Sequence, residues 1–143
     1  MSPAPTSYKV TARSKKGGEA HADAKQEQID FDASTAMGDE LPGPAELLLT
    51  AFSACALKNV ERFSEILPFQ YEAASIEVEG ERQESPPKFT GIRYLIRVVT
   101  NEPEDRLELL HTNIRKYGTI TNTLAEACEL DGKVIKVDTL DEA

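Results

Sequence analysis

Cysteine is scarce in this chain of 143 residues: Cys55 and Cys128 are the only two, and no CxxC pair occurs. That excludes a disulfide-built scaffold and makes a reducing cytoplasm the expected compartment. Histidine is as sparse, and His21 and His111 stand in different segments without ligand spacing, so no metal site and no cofactor are expected. No basic stretch is interleaved with aromatics, and 16 basic against 25 acidic residues leave a net charge of -9. Nothing would offset phosphate repulsion, so neither nucleic acid nor an anionic membrane is an expected partner. No apolar run reaches the roughly 20 residues of a membrane span. The start, Met1 to Pro5, leads straight into polar sequence, and no signal peptide is expected. Internal repeats and low-complexity segments are absent as well.

What remains is ordinary globular composition, 40% hydrophobic and 29% charged, over a length that suits one domain, 1–143, with 1–6 as a flexible N-terminus. All eight prolines (3, 5, 42, 44, 68, 86, 87 and 103) fall at expected boundaries, because proline removes a backbone donor and avoids element interiors. Between them the periodicity is readable. Tyr8 to Asp32 predicts a β meander: Tyr8, Val10 and Ala12 alternate with polar residues, and Gly17-Gly18 allows a tight turn. A loop follows over 33–43. Ala45 to Leu67 predicts a long helix, with Pro44 at the start where its missing N–H costs nothing. The first half, Ala45 to Leu57, is apolar nearly all round and calls for burial on all sides, by a second helix or a second subunit.

Tyr71 to Gln83 and Lys88 to Thr100 predict a long hairpin about Ser85-Pro86-Pro87, with an acidic face (Glu77, Glu79, Glu81) opposite Arg93 and Arg97. Pro103 to Tyr117 predicts an amphipathic helix whose acidic start and basic end suit its dipole. A short helix is expected over Thr121 to Leu130, stopped by Asp131-Gly132, and a last strand over Lys133 to Asp138. The order βββ, α, ββ, α, α, β is that of an α+β domain with antiparallel sheets.

Two segments carry a resemblance. Pro44-Ala45-Glu46-Leu47 through Ala54-Cys55 resembles the Pro-x-Glu-Leu…Ala-Cys segment of the OsmC/Ohr family of thiol-dependent peroxidases. Tyr117-Gly118-Thr119-Ile120-Thr121-Asn122-Thr123-Leu124 resembles the family segment that usually reads Tyr-Cys-Pro-Val-Ser-x-x-Leu. The element order extends the likeness over most of the chain. The resemblance implies an intertwined homodimer with the long central helices at the interface and N-terminal strands paired with the partner. It also implies reduction of organic hydroperoxides, in an oxidative stress response: one Cys attacks the peroxide, a second condenses with it to a disulfide, and an external thiol reductant restores both. In that family an Arg near the N-terminus and a Glu on the cysteine helix are expected to hold the first Cys as thiolate.

Cys55 matches the attacking cysteine. Gly118 stands where the resolving cysteine should be, and Ala45 where the peroxidase branch usually carries its Glu. Glu46 and Arg13 are the nearest substitutes for the missing Glu and Arg. Helix geometry disfavours Glu46, which nine residues place on the face opposite Cys55. The residues flanking Cys55 offer no charge, so a cation must come from Arg13, Lys15 or Lys16 of a partner chain, or from Lys58. Cys128 is a poor resolver: ten helical residues beyond Gly118 are about 15 Å further along, whereas a disulfide needs Cα atoms within about 7 Å. Three readings stay open. Cys55 is the redox thiol of a one-cysteine enzyme, its sulfenic acid resolved by an external thiol. Alternatively the dimer is catalytically inactive and binds a small apolar ligand at its interface near Phe52 and Cys55, or it is purely structural, serving a protein partner.

Overall fold

The computed structural model describes residues 5–36 and 38–140. The expected flexible N-terminus over 1–6 lies outside the described residues as far as residue 4; residues 5 and 6 belong to no regular element. The chain divides into two compact units, 1–48 and 49–143.

The first unit holds a three-stranded antiparallel meander: β1 (Thr11–Ser14), β2 (Glu19–Ala24) and β3 (Glu27–Asp32), ordered β1-β2-β3. Gly17 and Gly18 make the β1–β2 turn at φ of 103° and 102°, a region that residues with a Cβ avoid. The strand expected from Tyr8 starts later, at Thr11. Register explains this: Thr11 pairs with Asp23, so Val10 would face Ala24, where β2 turns through Lys25 at positive φ. Tyr8 and Val10 are left 85% and 61% exposed.

The long helix α1 (Pro44–Ile66) begins in the first unit and continues into the second. The Glu46 carboxylate accepts the Gly43 N–H at 2.8 Å. That satisfies a donor the helix leaves orphaned and forms one half of a capping box. Phe52, Ala56, Asn59, Val60 and Phe63 are the buried residues of α1.

The second unit is built on a sheet ordered β4-β5-β6, from β4 (Ala73–Glu84), β5 (Pro87–Val99) and β6 (Glu129–Val137). Period-two alternation works as expected in β5: Ile92, Tyr94, Ile96 and Val98 are buried, while Arg97 meets Glu77 at 3.0 Å and Arg93 meets Glu79 and Glu81 at 3.3 and 3.1 Å on the other face. These exposed pairs contribute about 0–1 kcal/mol each. The buried side adds Leu107, Leu110 and Ile114 from α2 (Glu104–Tyr117) and Leu124 from α3 (Thr119–Ala127).

Two expectations at the C-terminal end are corrected. The last helix ends at Ala127, with Cys128 extended at φ -157°, and β6 begins at Glu129, well before Lys133. Gly132 is therefore a strand residue, not a helix stop: it lies directly beneath the Tyr94 ring, which a Cβ would strike. β6 also runs parallel to β5, unlike the antiparallel β1–β2, β2–β3 and β4–β5 pairs. Two helices intervene between β5 and β6, and such a crossover is the connection a parallel pair needs.

Candidate functional site

Cys55 lies in the middle of α1, half-buried and unpaired with Cys128. Alanines at 51, 54 and 56 keep the helix slim around it, and Phe52, one turn back, is 1% exposed with its ring 5.4 Å from Tyr94. Phe52 is thus a core residue of this unit. One turn ahead stands Asn59. Positions four apart share a helix face, and the Asn59 amide nitrogen donates to Cys55 Sγ at 3.8 Å. Asn59 is 6% exposed, so this polar contact sits in dry surroundings, where a hydrogen bond to sulfur has little competition from water.

The second segment arrives over the same place. Gly118 joins α2 to α3, its extended backbone (φ -77°, ψ 121°) serving both helices. Nothing in that φ demands glycine; the surroundings do. A Cβ on Gly118 would lie 2.7 Å from Thr121 Oγ1 and 3.2 Å from Asn59 Nδ2. The site where the resemblance calls for a resolving cysteine is therefore closed by the Thr121 side chain and the Asn59 amide. Thr121 is 2% exposed, and among the described residues its hydroxyl is the one buried side-chain polar atom without a hydrogen-bond partner. Such a group costs about 1–3 kcal/mol, and this one sits beside the amide that reaches Cys55.

The other candidates lie elsewhere. Cys128 is half-buried at the end of α3, its thiol 3.6 Å from the Leu124 carbonyl. Glu46 holds the start of α1, as described. Arg13 is exposed on β1 in the first unit, opposite His21 in the strand register. Lys58 is exposed on α1. Among the described residues no group of three or more His, Cys, Asp or Glu could hold a metal ion. Sequence reasoning missed Asn59 and Thr121. The i, i+4 spacing from Cys55 could have flagged Asn59; nothing local could have flagged Thr121.

A second polar cluster flanks this region. Tyr94 Oη and His111 Nε2 are 2.6 Å apart, while Arg115 lies 3.4 Å from the same hydroxyl and donates to the Leu130 carbonyl at 2.8 Å. Burial first, and the Arg115 charge second, hold His111 below its ordinary pKa; burial raises that of Tyr94.

This geometry belongs to a known class of α+β proteins. The family model for OsmC-like protein matches residues 37–132. The chain belongs to the OsmC family. Its fold is shared with an OsmC-like protein from Mycoplasma pneumoniae, at TM-score 0.85 and 19% identity over 94% of this chain and 99% of that one. An organic hydroperoxide resistance protein OsmC from Legionella pneumophila superposes at TM-score 0.73, with 17% identity over 91% and 98% of the two chains. The organic hydroperoxide resistance protein OhrB of Bacillus subtilis gives TM-score 0.67 and 16% identity, again over 91% and 98%. A comparison with curated proteins finds no match.

Proposed function

We propose that this chain is a one-cysteine redox protein of the OsmC family, in which Cys55 reduces organic hydroperoxides. The observation that carries this reading is a half-buried thiol, on the helix position that matches the family's attacking cysteine, with the buried Asn59 amide directed at its sulfur. The thiolate attacks the outer peroxide oxygen, the O–O bond breaks, and the alkoxide takes up a proton and leaves as an alcohol. Cys55 is then a sulfenic acid. With Gly118 in the resolving position, an external thiol must attack that sulfur, releasing water and leaving a mixed disulfide. A second thiol frees Cys55 and departs as the small disulfide. Names of relatives support the substrate class: two of similar fold are called organic hydroperoxide resistance proteins.

The reading extends to a single domain that works as a cytoplasmic homodimer. Ala51 and Ala54 are exposed and Leu47 to Leu49 only half-covered in a segment too apolar for water, and Tyr8 and Val10 precede β1 without a strand partner among the described residues. A partner's Arg13 supplies the cation that the surroundings of Cys55 need to sustain a thiolate, and Glu46 serves the helix start.

The test is intact mass after a brief pulse of an organic hydroperoxide with a sulfenic-acid trap, on wild type beside Cys55→Ser. The expected result is an adduct on wild type alone, formed at least about tenfold faster than on a free thiol of ordinary pKa. No adduct, or one at the rate of a free thiol, overturns the reading.

A further inference from the structure

Oxidation of a thiol to a sulfenic acid turns a weak hydrogen-bond acceptor into a good one, because the sulfur gains an oxygen. Two buried groups next to Cys55 have hydrogen-bonding capacity that the reduced protein leaves unused. The Asn59 amide nitrogen carries two hydrogens, and Cys55 Sγ, at 3.8 Å, is its one partner among the described residues. The Thr121 hydroxyl has no partner among them. Asn59 is 6% exposed and Thr121 2%, so water serves neither well.

The two groups come from different helices to one spot. Asn59 stands on α1 and Thr121 in the first turn of α3, yet a Cβ built on Gly118 would touch both, at 3.2 Å from Nδ2 and 2.7 Å from Oγ1. That spot is the root of the side chain that the family resemblance assigns to a resolving cysteine. The amide and the hydroxyl therefore occupy the place of the second thiol. On its other side the same amide nitrogen faces the sulfur. At 3.8 Å from Sγ, it is placed so that an oxygen bonded to that sulfur comes within ordinary hydrogen-bond distance of it.

The chemistry makes a demand at this spot. With Gly118 in the resolving position, no thiol of the chain captures the Cys55 sulfenic acid, which must last until an external thiol arrives. In that interval a second hydroperoxide can transfer its outer oxygen to the sulfur. The O–O bond breaks, an alcohol leaves, and the cysteine ends as a sulfinic acid that thiols do not restore. A hydrogen bond donated to the sulfenic oxygen draws electron density from the sulfur and fixes the oxygen in one orientation. Both effects slow the second attack.

We propose that Asn59 donates one amide N–H to the oxygen of oxidised Cys55 while the Thr121 hydroxyl accepts the other, and that this pair sets how long the sulfenic acid survives. This deepens the one-cysteine reading above and rests on it. Asn59 touches the reacting sulfur; Thr121 acts through Asn59 and is a positioning residue.

The experiment follows conversion of sulfenic to sulfinic acid by intact mass. Each protein is oxidised with one equivalent of cumene hydroperoxide and then given an excess. Asn59→Leu removes the amide, Thr121→Val removes the hydroxyl and keeps the shape, and Thr121→Ser keeps the hydroxyl. Sulfinic acid is expected to form about tenfold faster in Asn59→Leu and about threefold faster in Thr121→Val than in wild type, with Thr121→Ser close to wild type. Urea unfolding of the reduced proteins separates this from a structural effect. Thr121→Val should be at least as stable as wild type, since it loses an unpartnered buried hydroxyl, so faster oxidation there cannot come from unfolding. Should Asn59→Leu fail to fold, the Thr121 pair decides alone. Wild-type rates in Asn59→Leu, or equal rates in Thr121→Val and Thr121→Ser, overturn the proposal and leave the one-cysteine reading standing. A wild type that forms no sulfenic acid overturns both.

Discussion

Thr121 and Gly118 make one unit of meaning. A cysteine cannot simply be restored at 118, because its Cβ would press on the Thr121 side chain at 2.7 Å, and a β-branched side chain has little rotamer freedom to give way. Gly118→Cys is expected to lose about 1–3 kcal/mol of stability, read by urea unfolding. Adding Thr121→Ala should recover most of it by opening the space and removing an unpartnered hydroxyl. Full stability in the single variant would show that the contact is soft. The motif alone revealed that the second cysteine is missing. It did not reveal that its place is closed, since the obstruction comes from a residue one turn along α3 and from Asn59 on another helix.

Among elements, α2 is the one on which burial and charge meet. Its apolar stripe of Leu107, Leu110 and Ile114 enters the core as its periodicity predicts, and the same helix carries His111 and Arg115 to Tyr94 on β5. His111 is neutral in the native protein because its pKa is held below the ordinary 6.5. The unfolded chain therefore binds the proton first on acidification. Stability contributed by neutral His111 is complete above about pH 6.5 and falls as pH drops from there toward the lower native value. His111→Gln should flatten that part of the profile, measured as unfolding free energy between pH 7 and 5. An unchanged slope would mean that other groups carry it. The boundaries of α3 and β6 were misread for a reason of the same scale. Gly132 has the look of a helix stop, and only the Tyr94 ring laid against it makes it a strand glycine. The parallel pairing of β6 was equally hidden, because strand direction is set by the crossover through α2 and α3, not by alternation.

At the scale of the whole molecule, the apolar half of α1 is the face a second copy would cover. Leaving Ala51 and Ala54 exposed and Leu47 to Leu49 half-covered forfeits burial worth roughly 25 cal/mol for each Å² kept wet. Sedimentation equilibrium at micromolar concentration is expected to give twice the chain mass of 15.7 kDa. Replacing Ala54 with Glu should shift the protein toward monomer, because a carboxylate buried without a partner is costly. A wild-type monomer at that concentration would remove the dimer from the proposal.

The sequence by itself determined the order and type of the elements, the charged outer face of the hairpin and the family. These depend on local periodicity, proline and glycine punctuation, and two short motifs, all of which act between neighbours in the chain. The tertiary structure alone decided that Asn59 and Thr121 close around Gly118, that Gly132 underlies Tyr94, and that His111 and Arg115 of α2 meet the Tyr94 hydroxyl of β5. Those are meetings of residues from different elements, and a side chain's partners across space leave no mark on the spacing of its own segment.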